Sequence, residues 1–268
     1  MRLNLMVTLG FAIMLNWSVF GNSGGHGAAA PTPDVHGAPA AHGGASEDIA
    51  LEVTPTEALS TLMRGNARFV KGLMSHPNQT GVRREETAKN GQKPIVSILS
   101  CSDSRVPLEV LFDAGVGDVF VIRIAGNIAD KTEIGSLEYG VGHLGTPLLI
   151  VMGHSKCGAV TAVVKKAHVG GSIPSLIDNI APAVAKAVKE NPGIAEDQLV
   201  VKSIKANVWQ SVEDIFKTSE EIRMLVREGK LKVVGALYDI ETGVVTNLGV
   251  HYRQDALLKE GKRSTVVH

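Results

Sequence analysis

Pro94–Ser100, PIVSILS, and Pro147–Met152, PLLIVM, are the two stretches that decide how this chain is built. Each is a short continuous apolar run rather than an alternating one, the pattern of a strand covered on both faces. Val119–Ala125 (VFVIRIA) and Leu231–Asp239 (LKVVGALYD) read the same way. Apolar residues at helical spacing fill the intervals: Leu108–Asp113, Ile134–His143, Cys157–His168, Ser175–Glu190, Gln198–Phe216 and Ser219–Glu228. Strands separated by helices imply an α/β fold with a central, mostly parallel β-sheet flanked by helices. Val244–Val250 is expected to close the sheet, turning back through Glu241-Thr242-Gly243.

Upstream of the first strand, Thr54-Pro55-Thr56-Glu57 sets a capping Thr, a Pro at the first helical position and a Glu three residues after the cap. Ala58, Leu59, Leu62, Met63, Phe69 and Val70 then form one apolar helical face, able to pack on its own domain or on a second subunit. Residues 22–48 are Gly, Ala, Pro and His with almost no large apolar side chain, so a flexible linker is expected there. His26, His36 and His42 within it read as solvated rather than as metal ligands. Residues 1–21 read as a signal peptide. Arg2 precedes an apolar run to Phe20, interrupted by Asn4, Thr8, Asn16 and Ser18, with small residues at Val19 and Gly21 suiting cleavage. That run is short and broken for a bilayer core of roughly 30 Å. An exported, periplasmic protein is therefore expected, with secretion or an uncleaved signal anchor as the alternatives, and with a catalytic domain over residues 49–255 and a polar tail over 256–268.

The 27 basic and 27 acidic residues cancel, which argues against nucleic acid or an anionic membrane surface as the main partner. The chemistry sits directly after two of the strands, in Cys101-Ser-Asp103-Ser-Arg105 and Gly153-His154-Ser-Lys-Cys157-Gly158. In a parallel sheet, ligands gather outside the carboxyl ends of the strands, so both segments point to one place. Cys101 and Cys157 are the only cysteines, and an oxidising compartment would tend to join them. With His154 they instead offer two thiolates and an imidazole, a donor set suited to zinc. Three protein ligands leave one tetrahedral position open, as at catalytic rather than structural zinc. A dinucleotide site is excluded, because no Gly-x-Gly-x-x-Gly turn follows the first strand.

Cys101-Ser102-Asp103-Ser104-Arg105-Val106 with His154-Ser155-Lys156-Cys157-Gly158 resembles the paired signature of the β-carbonic anhydrases. The likeness extends to Gly65-Asn66-x-Arg68-Phe69, Arg123-x-Ala125-Gly126-Asn127 and Ser136-Leu137-Glu138-Tyr139, and spans Val53–Tyr252. The resemblance implies one zinc per subunit on Cys101, His154 and Cys157, reversible hydration of carbon dioxide to bicarbonate, and assembly as a homodimer or homotetramer. It gives Asp103 one of two roles, orienting the reacting water or itself taking the fourth zinc position, with Arg105 holding its carboxylate ionised. It further implies a substrate pocket containing Gln92, Phe120, Tyr139 and the backbone N–H of Gly158, with Gln92 and Tyr139 reaching it from opposite sides of a dimer interface. One departure is Ala159, where many relatives carry a second Gly after the Cys. His143 and His168 are proton-shuttle candidates by residue type alone. Two alternatives stay open: a hydrolase of another small cumulated molecule such as carbon disulfide, and a non-catalytic zinc or redox protein whose cysteines pair.

Overall fold

The structure is a computed structural model that describes residues 53–260. The signal peptide expected at residues 1–21, the linker at 22–48 and residues 261–268 of the tail lie outside the described residues. Five strands, β1 (Val96–Ser100), β2 (Val119–Arg123), β3 (Leu148–His154), β4 (Lys232–Tyr238) and β5 (Val245–Gly249), form one sheet in the order β2-β1-β3-β4-β5. The first four run parallel, and β5 returns antiparallel against β4.

Alternate residues of a strand face opposite sides of a sheet, and here both sides meet apolar neighbours. Leu99, Leu149, Val151 and Val233 pack with Val208, Val212, Ile215 and Phe216 of α7 (Glu196–Thr218). Ile98, Ile150, Met152, Val234 and Ala236 pack on the other side with Ala58 and Leu62 of α1 (Pro55–Val70) and Leu108 and Leu111 of α3 (Leu108–Leu111). Burying one such aliphatic side chain contributes about 1.5–3 kcal/mol, so neither face tolerates polar alternation. The remaining helices are α2 (Gly81–Asn90), α4 (Lys131–Glu138), α5 (Gly158–Val164), α6 (Ile173–Glu190), α8 (Glu220–Arg227) and α9 (Gln254–Glu260). Among the described residues no helix is long and apolar enough to cross a membrane.

The α1 face packs on its own domain: Ala58 and Leu62 are buried, while Leu59, Met63 and Phe69 pack against the same cluster. Val70 alone of that face stays exposed. The cap forms as read, with Thr54 Oγ1 accepting from the Glu57 N–H at 3.2 Å and Glu57 Oε2 accepting from the Thr54 N–H at 2.9 Å. The Gly65–Phe69 segment has a physical explanation. A Cβ on Gly65 would stand 1.8 Å from the Phe112 carbonyl oxygen, so only glycine allows α1 this close to the backbone after α3. Asn66 donates to the Leu111 and Gly243 carbonyls at 3.1 and 2.9 Å and accepts from the Val245 N–H at 2.9 Å. Arg68 Nε donates to Asp113 Oδ2 at 2.6 Å.

Three departures from the sequence reading have physical causes. α2 was unexpected because GVRREETAKN buries nothing and shows no apolar period; its signals are the Thr80 cap, which accepts from the Arg83 N–H, and the left-handed Gly91 at its end. The helix expected over Ile134–His143 is α4 followed by a wider π turn, Tyr139–His143, in which the Leu144 N–H reaches back to the Tyr139 carbonyl. The domain continues past residue 255: α9 runs to Glu260 and buries Leu257 in the α7-side cluster.

Asp113 is fully covered at the base of α1, its carboxylate accepting from Arg68, the Ser75 N–H and hydroxyl, and the His76 N–H. Burial by itself raises this carboxyl, but the Ser75 N–H, the Arg68 guanidinium and the His76 N–H outweigh it and hold the group well below the usual carboxylate range. A depressed carboxyl stabilises the fold fully above its unfolded value of about 4, and that contribution fades as pH falls toward the folded value. Asp113→Ala is expected to cost on the order of 2–3 kcal/mol near neutral pH, with the gap from the unsubstituted protein narrowing below about pH 4 in urea titrations.

Candidate metal centre

β1 and β3 are adjacent and parallel, with Ser100 level with Met152. The residue following β1, Cys101, and the last residue of β3, His154, therefore emerge side by side at the carboxyl edge of the sheet. The chain leaves β1 to form β2 on one side and returns to form β3 on the other, so this crevice is the topological switch point where α/β folds bind ligands. After β3 the Ser155 N–H stays tied to the Tyr238 carbonyl at 2.8 Å, Lys156 turns in the left-handed region at φ 57°, and Cys157 caps α5. That sharp turn brings Cys157 back beside His154.

One ligand atom from each of Cys101, His154 and Cys157 lies within 4.8 Å of the others, and all three residues are buried. A single ion with bonds of about 2.0–2.3 Å draws together donors at such a spacing. The imidazole is oriented for the task. Nδ1 lies 2.9 Å from the Ser155 carbonyl, while Nε2 is buried without any hydrogen-bond partner. The sulfurs are unjoined, and the neighbouring Cys157 thiol holds the Cys101 thiol below its usual range. The same contact, followed by burial, pushes Cys157 up. Two adjacent cysteine sulfurs beside an orphaned imidazole nitrogen are a donor set that fits zinc.

Asp103 stands outside this trio, in the grip of Arg105. Arg105 Nε donates to Oδ1 at 2.9 Å, its terminal nitrogen to Oδ2 at 2.7 Å, and its backbone N–H to Oδ1 at 3.0 Å. The Arg105 side-chain bond is the main reason the carboxyl sits well below its usual range. Asp103 Oδ2 is nevertheless only 3.9 Å from His154 Nε2, beside the converging donors.

The pocket residues divide. Gly158 begins α5 directly after Cys157, exposed, with open space where a Cβ would stand. Gln92, Phe120 and Tyr139 do not join the cluster within one chain. Gln92 precedes β1 and is exposed, and Phe120 pairs in register with Ser97, near the opposite end of the strands from Cys101. Tyr139 lies with Phe120, ring centroids 5.8 Å apart, and stacks on exposed His143 at 4.8 Å. His168 is exposed beyond α5.

Arg123 and Gly126, part of the wider sequence likeness, both brace the Cys101 loop. Arg123 ends β2 and donates to the Cys101 carbonyl at 3.0 Å and the Asp103 carbonyl at 2.6 Å, bracing the loop that carries both. The Gly126 N–H donates to Cys101 Sγ at 3.2 Å. The available signal for Arg123 was a charge closing an otherwise apolar strand.

Comparison with known proteins agrees with this geometry. A carbonic anhydrase family model matches residues 96–245. The chain is 36% identical over 193 residues to carbonic anhydrase 2 of Mycobacterium tuberculosis, covering 70% of this chain and 90% of that protein. The solved β-carbonic anhydrase of Coccomyxa, in complex with acetazolamide, is 26% identical with a TM-score of 0.60, covering 78% of this chain and 99% of the other. A tetrameric β-carbonic anhydrase of the ascomycete Sordaria macrospora is 27% identical with a TM-score of 0.56, over 62% and 91% of the two chains. The chain belongs to the β-carbonic anhydrase family.

Arg123→Met is expected to leave secondary structure intact while speeding zinc loss to a chelator by about 10-fold or more, the usual scale for removing a residue that orients a ligand. Circular dichroism together with a zinc-transfer time course checks both halves.

Proposed function

We propose that this protein catalyses the zinc-dependent, reversible hydration of carbon dioxide to bicarbonate and a proton. The observation that carries the reading is the convergence of Cys101, His154 and Cys157 beside an arginine-held Asp103. When bound there, zinc supplies the Lewis acidity that makes water a nucleophile near neutral pH, as it does in carbonic anhydrases generally.

The chain's own residues supply the rest. Asp103, kept ionised by Arg105, accepts a hydrogen bond from the reacting water and turns its free lone pair toward the carbon. Ile128, Val160 and Ile180, packed with both cysteines, make an apolar wall that limits bulk water and suits a nonpolar substrate. The exposed N–H of Gly158 is free to donate to a substrate oxygen. Phe120 and Tyr139 lie toward the opposite end of the strands from their own metal ligands, which supports assembly at least as a dimer, with Gln92 and Tyr139 reaching one pocket from opposite sides of the interface. The tetrameric relative agrees with that assembly. Export to the periplasm, from the character of residues 1–21, completes the proposal.

Stopped-flow hydration with metal analysis on one preparation tests the function, and carbon disulfide assayed alongside separates the alternative substrate. Cys101→Ser is expected to lose zinc. Asp103→Ala is expected to keep zinc and lose about 10²–10⁴-fold in hydration rate, the range for a positioned proton-handling group. Normal hydration by zinc-loaded Asp103→Ala would remove Asp103 from the mechanism. Zinc-stripped protein held in air is expected to form a Cys101–Cys157 disulfide with dioxygen as oxidant, seen as a loss of titratable thiols. Full recovery on adding zinc without reductant would contradict that expectation.

A further inference from the structure

α7 lies along the sheet with an apolar face made of Ile204, Val208, Val212 and Ile215, all nearly or fully inaccessible. Three polar residues interrupt it, Ser203, Asn207 and Ser211, none more than 2% exposed. They fall four apart and so occupy one stripe. Polar groups buried at this depth are costly unless hydrogen-bonded, and two of the three are bonded to a single short turn. Asn207 Nδ2 donates to the Gly126 carbonyl at 2.6 Å, and Ser211 Oγ donates to the Asn127 carbonyl at 2.8 Å.

That turn is held in an uncommon shape. Gly126 and Asn127 are consecutive residues in the left-handed region, φ 77° and 46°. A Cβ on Gly126 would stand 2.6 Å from Ile180 Cδ1, so the turn is also pressed from the α6 side. Asn207 on the Gly126 carbonyl and the Ile124 carbonyl, which accepts from the Asn127 N–H at 3.0 Å, hold the peptide plane between Gly126 and Asn127 from both ends; with Ile180 against the Gly126 Cα, this restrains the direction of the Gly126 N–H on the other side of that Cα. The direction so fixed is toward Cys101 Sγ, 3.2 Å away.

We propose that Asn207 is a positioning residue of the metal centre, acting across the Gly126 Cα to aim that residue's N–H at the Cys101 thiolate. The inference rests on the zinc reading above and deepens it. An N–H bonded to a ligating sulfur draws charge from it and weakens its donation to the ion, while also fixing where the sulfur stands. Asn207 touches neither substrate nor metal ligand, so its influence is carried wholly by the turn. Ser203 provides an internal control, because it lies on the same buried stripe and its hydroxyl has no hydrogen-bond partner.

The test uses the full chain with zinc and, separately, with cobalt(II), whose thiolate-to-metal charge-transfer band reports the sulfur's donor strength. Asn207→Leu and Asn207→Ala each remove the donor to the Gly126 carbonyl, the first at nearly constant volume. Both are expected to shift that band and to speed zinc loss to a chelator by about 10–100-fold. Ser203→Ala is expected to leave both readouts unchanged. A folded Asn207 variant with the band unmoved and zinc loss within about twofold of the unsubstituted protein overturns the proposal. Should neither Asn207 variant fold, cadmium-113 in the unsubstituted protein decides. Scalar coupling between the Gly126 amide proton and the metal through Cys101 sulfur supports the proposal, and its absence overturns it. Unsubstituted protein that takes up no metal defeats the zinc reading itself; metal-loaded protein with indifferent variants defeats only the role of Asn207.

Discussion

Parallel pairing of β1 with β3, from Ser97↔Leu149 to Ser100↔Met152, is the constraint on which the site depends. Parallel neighbours finish at the same edge, so the residues that follow them leave the sheet together. An antiparallel partner would have sent His154 to the far edge from Cys101. A one-residue slip would have turned every apolar side chain of the strand to the wrong face, and with both faces packed against helices such a slip has no low-energy alternative. Core packing and ligand placement are thus the same requirement. The register that buries Leu99 and Val151 on one side and Ile98 and Ile150 on the other also delivers two of the three donors.

Around the donors, main chain is held as firmly as side chain. Arg123 clasps two carbonyls of the Cys101–Asp103 loop, and Arg105 clasps Asp103 while approaching the Lys156 carbonyl at 3.4 Å. Ser155 and Lys156 fasten the other loop to the β4–β5 turn, with the Ile240 N–H on Ser155 Oγ and Lys156 paired to Glu241. Groups that must meet a small substrate are displaced little when their supporting loops have so few free carbonyls. The opposite end of the strands differs in kind, with aromatic Phe120 and Tyr139 and the exposed His143 where the carboxyl end has ion pairs.

Much of this was legible from residue order because burial on two faces leaves a strong mark. All five strands fall within two residues of their expected limits, and the three donors stand together as their positions after the strands required. The elements that escaped have no such mark. α2 is polar all round, and α9 was hidden because Leu257 finds its buried place through contact with distant α7-side residues. Within the π turn at Tyr139–His143 a side chain at Gly140 would strike Ser97 and Phe120 and one at Gly142 would strike Glu221, tertiary contacts that leave no local period. At the site, Asp103 and Arg105 are two residues apart and their pairing was readable. Arg123 and Asn207 act across 20 and 81 residues of chain through backbone atoms, which leave no local pattern.

Asn66 joins α1 to Gly243 and Val245, 177 and 179 residues further along. A chain emerging from its amino terminus therefore carries α1 unfinished until nearly the whole domain has been made, and the turn that steadies the His154–Cys157 loop arrives with the same late segment. The finished form of that loop, tied to residues 238–241, is consequently a late product of chain synthesis although its ligating side chains are made much earlier.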